Sequence, residues 1–140
     1  DVVDGALWVD TGSEQLVMPL ASAAAVERCQ PNLELLMRYS VGNKRKGLVY
    51  VWARVNDSTV RARFFFTKYG AVIEDPGTGS ACANLGGWLI AQDAPLPLAL
   101  TVLQGDQVGR PCRLGLRVDA DQRIFVSGRV IALGRGEIEL

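Results

Sequence analysis

The chain has 140 residues, 49% of them apolar, with 15 basic and 15 acidic side chains and so no formal net charge. That is enough apolar material for one globular domain, residues 1–140, with its own core. Zero net charge with scattered arginines argues against a nucleic-acid partner, and no apolar run approaches the roughly 20 residues of a membrane-spanning helix.

Cys29, Cys82 and Cys112 show no close pairing, and no histidine is present to complete a zinc site. No metal or cofactor is implied, and the setting reads as reducing and cytoplasmic. The opening Asp1-Val2-Val3-Asp4 lacks an initiator Met and the basic and apolar regions of a secretory signal; it reads as the start of a fragment or processed product.

In chain order, Ala6 to Thr11 is expected to be a strand, Gly12-Ser13 a turn, and Gln15 to Leu20 the return strand of a hairpin. Ala21 to Cys29 turns helical with Ser22 placed to cap it. A second short helix carries Leu33, Leu35, Leu36 and Met37 beyond Pro31-Asn32. After a polar loop at 42–47, whose Lys44-Arg45-Lys46 reads as solvated, Leu48 to Val55 is a strand. Asn56-Asp57-Ser58 turns it into a partner, Thr59 to Phe66, whose alternation predicts one buried face.

Gly79 to Gln92 repeats apolar residues at helical spacing (Ala81, Leu85, Trp88, Leu89) and is the central helix. Strands follow at Leu98 to Gln104, Cys112 to Val118 and Arg123 to Leu133, with a last short one at Glu137 to Leu140. The fold class is α+β: a mostly antiparallel sheet wrapping a long helix.

The chemistry concentrates in Glu74-Asp75-Pro76-Gly77-Thr78-Gly79-Ser80-Ala81. Two glycines there are expected to let the backbone curl tightly before a helix whose first amides lack internal partners. Such a helix start attracts a carboxylate or phosphate through main-chain N–H groups and the helix dipole. The run lacks the Gly-Lys-Ser/Thr ending of a nucleotide P-loop, so ATP or GTP is not indicated. Asp75 before Pro76 is equally a turn residue, and Ser80 equally a helix cap. Glu74 reads as a solvated neighbour, Arg110 as part of a loop, and Phe64, Phe66 and Trp88 as core.

The run Arg63-Phe64-Phe65, then Gly70 through Ala81, resembles the second domain of the phenazine-biosynthesis isomerase family. Gln104-Gly105 with Gly109-Arg110-Pro111, Val126 to Val130, and the opening Val9 to Gly12 with Leu16 to Leu20 extend the likeness over nearly the whole chain. The resemblance implies a diaminopimelate epimerase-like fold of two similar domains, each a barrel-like sheet around a helix, with substrate between the two helix starts. This chain would be the second half.

It further implies Asp75 as the catalytic candidate, with Gly77, Thr78, Gly79 and Ser80 binding a small carboxylate-bearing substrate. In the family, the catalytic acidic residue and a cleft histidine belong to the first half. The related epimerases use one thiol per domain, and theirs falls near Asp75-Pro76. Cys82 lies farther along the helix and reads as a buried small hydrophobe. The expected partner is a first domain of the same protein or a second copy of the chain. A non-catalytic anion-binding or oligomerisation module is the alternative.

Overall fold

The computed structural model describes residues 3, 5–43 and 47–139; the Lys44-Arg45-Lys46 cluster and Leu140 lie outside them. The strands are β1 (Leu7–Val9), β2 (Gln15–Pro19), β3 (Leu48–Asn56), β4 (Thr59–Lys68), β5 (Ala71–Asp75), β6 (Leu98–Gln104), β7 (Cys112–Val118) and β8 (Ile124–Gly128). The α-helices are α1 (Ala23–Arg28), α2 (Leu33–Tyr39) and α3 (Gly79–Ala91). All strands join one sheet in the order β1-β2-β3-β4-β6-β7-β8, with β5 also paired to β4.

Pairing is antiparallel except between β2 and β3 and between β4 and β6. These two parallel pairs need crossovers, which α1–α2 and α3 supply. Both crossovers step the same way across the sheet, but β2 and β3 run opposite to β4 and β6. Crossovers of one hand then place their helices on opposite faces.

The burial pattern agrees. On one face Tyr50, Trp52, Val60, Ala62 and Phe64 pack with Leu85 and Leu89 of α3. On the other, Val49, Val51, Ala53 and Phe65 pack with Ala25 and Val26 of α1 and Leu36 of α2. The sheet curls into a half-barrel, so that α3 touches both β1–β2 at one end and β7–β8 at the other.

Local chemistry sets the element ends. Ser22 Oγ accepts from Ala25 N–H at 3.1 Å to start α1, and Asn32 Oδ1 accepts from Leu35 N–H at 3.0 Å to start α2. Asn56 Oδ1 accepts from Ser58 N–H at 3.0 Å and closes the β3–β4 turn.

Four expectations need correction. β4 is buried on both faces rather than one, because α1 covers Arg63 and Phe65. β5 is a strand that periodicity does not predict; it returns from β4 through Tyr69 and Gly70, both at positive φ (53° and 73°), a two-residue hairpin turn. β8 stops at Gly128, not Leu133, and residues 137–139 form no strand. Among the described residues no strand pairs with the chain beyond Gly128, and Val130, Ile131, Leu133 and Ile138 stand exposed.

Candidate functional site

β5 delivers Asp75 to one end of the sheet, where it pairs with Phe64 of β4. The chain turns through Pro76-Gly77 into α3, whose N-terminal flanking residue is Thr78, not Ser80. Ser80 is the second residue of the helix and exposed. Gly77 and Gly79 are absent from the positive-φ residues, so the turn does not depend on left-handed glycine. Their use is space. A β-carbon at 77 would stand 3.0 Å from Cys112 Sγ, whereas around one at 79 nothing lies within 4 Å, which leaves the helix start open to approach.

The left-handed glycine is Gly105, φ 88°, in the loop beneath. A β-carbon there would stand 2.6 Å from the Pro76 carbonyl oxygen and closer still to that of Arg110.

Ordinarily a threonine at the start of a helix accepts a hydrogen bond from one of the first amides. Thr78 does not: its Oγ1 donates to Asp75 Oδ2 and accepts from Gln104 Nε2 at 3.1 Å. No side chain therefore caps α3, and its first turn faces the cleft with the Asp75 side chain in the same cleft. That cleft, about 320 Å³, is lined by Ser13, Gln15, Leu48, Phe64, Phe66, Asp75, Thr78 and Ser80. One wall is apolar and aromatic, with Phe64 and Phe66 stacked at 6.2 Å, and the other carries the polar groups. Among the described residues, Asp75 is the only lining side chain that carries a charge.

The structure thus brings Asp75, Thr78 and Ser80 together around one cleft, with Gly79 open beside them, while Gly77 faces the other way, toward Cys112. Phe64 and Phe66 do more than fill the core, since both reach the cleft wall. Arg110 stays in its turn, exposed, with its N–H donating to Gly105 O at 3.0 Å. Glu74 is not solvated: it forms an ion pair with Arg63 at 2.7 Å, with both side chains buried.

Burial pushes the Cys82 thiol up to about 12, so it stays protonated and packed in the core. Among the described residues no group of three or more potential metal ligands comes together, and no helix is long and apolar enough to cross a membrane.

The sequence reading missed Gln15, Asn84 and Tyr50 as supports of the site. Their positions, where helix or strand periodicity demands burial, signal that they are buried but not which groups they bond.

Residues 6–136 match the family model described as phenazine biosynthesis-like protein, PhzC-PhzF. The chain belongs to this family. An uncharacterised isomerase of Pasteurella multocida is 43% identical over 131 residues, covering 94% of this chain and 43% of that protein. Trans-2,3-dihydro-3-hydroxyanthranilate isomerase of Pseudomonas chlororaphis is 40% identical over 86 residues, covering 57% of this chain and 30% of that protein.

Among solved structures, a protein of Pseudomonas aeruginosa described as a predicted epimerase superposes with a TM-score of 0.61 at 26% identity, covering 91% of this chain and 43% of that one. A PhzF-family protein of Bacillus anthracis gives 0.60 at 20% identity, covering 83% and 42%, which shows the shared fold. The chain spans less than half the length of each of these relatives.

Proposed function

We propose that this PhzC-PhzF chain forms one wall of an isomerase active site that moves a proton on a small carboxylate-bearing molecule. One observation carries the reading: Thr78 turns its hydroxyl to Asp75 instead of capping α3, so a carboxylic acid group and an uncapped helix start meet in a single cleft. The helix amides around Gly79 and Ser80 take the substrate carboxylate, and Asp75 serves as the acid–base group. The isomerase names of relatives at 43% and 40% identity support that class of reaction.

Among the described residues Asp75 is the only charged group lining the cleft, and in this reading the second proton carrier and the opposite wall come from elsewhere. In this reading the chain corresponds to the second domain of a diaminopimelate epimerase-like pair. A first domain of the same protein, or a second copy of the chain, closes the cleft.

Proton transfer in deuterated water labels the product, so the test is deuterium incorporation into small unsaturated carboxylic acids by the assembled enzyme, followed by NMR. Asp75→Ala is expected to lower the rate by about 100-fold or more with the fold retained, and Ser80→Ala to raise KM. Unchanged turnover in both variants would leave Asp75 a turn residue and Ser80 an ordinary helix residue.

A further inference from the structure

Two buried carboxamides stand behind the cleft, and each is oriented by backbone atoms that can play only one role. Asn84, fully buried in α3, accepts at Oδ1 from the Thr11 main-chain N–H at 2.9 Å and from Thr11 Oγ1 at 2.7 Å. Its Nδ2 donates to the Ser13 carbonyl at 2.8 Å and to Gln15 Oε1 at 2.9 Å. A main-chain N–H only donates and a carbonyl only accepts, so this amide cannot be reversed. Gln15 must therefore accept through Oε1, and it presents Nε2 to Ser80 Oγ at 3.0 Å. With that lone pair engaged, the Ser80 hydrogen is left to donate into the cleft.

Gln104 runs the second chain. It is 1% exposed, and its Nε2 donates to the Asp75 carbonyl at 2.7 Å and to Thr78 Oγ1, while Oε1 accepts from the Tyr50 phenol at 3.4 Å. The carbonyl of Asp75 fixes which end of this amide carries hydrogens. Burial, with a smaller contribution from Cys82, pushes the Tyr50 phenol well above its ordinary value, so it remains a donor. Thr78, filled from the Gln104 side, has its one hydrogen for Asp75 Oδ2, which is thereby held as an acceptor.

We infer that Asn84 and Gln104 are positioning residues that preset the hydrogen-bond polarity of the cleft, making Ser80 a donor and Asp75 an acceptor. The site then takes a molecule with an acceptor, such as a carboxylate oxygen, over the start of α3, and a transferable hydrogen toward Asp75. This rests on the cleft being the substrate site.

The test is a double-mutant cycle on this chain, with benzoate as the probe and the Gly79 and Ser80 amides followed by nitrogen–proton NMR. Gln15→Met and Ser80→Ala are each expected to weaken benzoate by about tenfold, and the double variant by clearly less than the product of the two losses, because Gln15 Nε2 orients the Ser80 hydroxyl. Gln15→Met should also lower the preference for benzoate over benzamide, which loss of packing alone would not do. Additive losses, or unchanged affinity in Gln15→Met, would overturn the inference.

If benzoate leaves the Gly79 and Ser80 amides of the unaltered chain unmoved, the cleft reading fails, and neutron diffraction decides the polarity by itself. Deuterium on Ser80 directed away from Gln15, and on Thr78 directed at Asp75, supports it. Deuterium lying between Ser80 and Gln15 Oε1, or a reversed Asn84, overturns it.

Discussion

Arg63 spends its whole guanidinium inside the protein. Nε and Nη2 grip the two oxygens of Glu74 at 3.1 and 2.7 Å, and Nη1 donates to the carbonyls of Val26, Glu27 and Cys29, where α1 ends. The plane also lies 4.7 Å from the Phe65 ring centre. Removing Glu74 leaves the buried Arg63 charge without its carboxylate partner, so Glu74→Ala is expected to cost about 3 kcal/mol in urea unfolding. Asp106→Ala, which leaves the more exposed Arg61 its pair with Glu27 at 3.1 Å, should cost under about 1 kcal/mol.

Glu74 and Asp75 are neighbours in sequence but lie opposite Phe65 and Phe64, on the two faces of the sheet. That divergence follows from the strand period, yet it becomes readable only once β5 is known to be a strand. Cys82 gives a second test at this scale. Its folded value near 12 lies above the ordinary 9.0, so the native state holds a proton that the unfolded chain releases. Stability is full below about pH 9 and falls as the pH rises toward 12, with buried Tyr50 pulling the same way. Denaturant melts from pH 8 to 11 should show that decline, made shallower by Cys82→Ala.

Among the elements, α3 is gripped from two sides through adjacent glycines. A β-carbon at Gly87 would stand 2.8 Å from Val9 Cγ1 of β1, and one at Gly86 3.0 Å from Ile124 Cγ2 of β8. Alanine normally improves a helix by about 1 kcal/mol over glycine. At Gly87 the stiff valine must move, and Gly87→Ala is expected to lose about 1–3 kcal/mol net in the same assay.

The central helix was legible in the sequence, and the α3 span differs from its expectation by a single residue, Gln92; the two parallel pairs and the close approaches at Gly86 and Gly87 were not. What failed to show was whatever depends on a neighbour. β5 hides behind Tyr69-Gly70, which lacks the usual Asn-Gly signature of a tight hairpin. Val130 to Leu133 has strand composition but, among the described residues, no strand beside it. In the candidate site the Asp75–Ser80 run was legible because loop and helix start are local. The roles of Gln15, Asn84 and Gln104 were not, because Thr11 and Asn84 meet across 73 positions and Gln104 and Asp75 across 29.

Over the whole molecule, burial is uneven along the sheet. β3 and β4 are covered on both faces, β6 and β7 alternate, and in β8 only Ile124 is even half-buried. The arrangement therefore contains a gradient of opening free energies. In native-state hydrogen exchange, amides of β3, β4 and α3 should open only with global unfolding, while those of Phe125 to Ser127 exchange through a cheap local fraying of the edge. Equal protection in β4 and β8 would contradict this. If the gradient holds, the β8 border can detach and re-lay itself while the Asp75–Ser80 cleft, anchored on β4 and α3, keeps its shape.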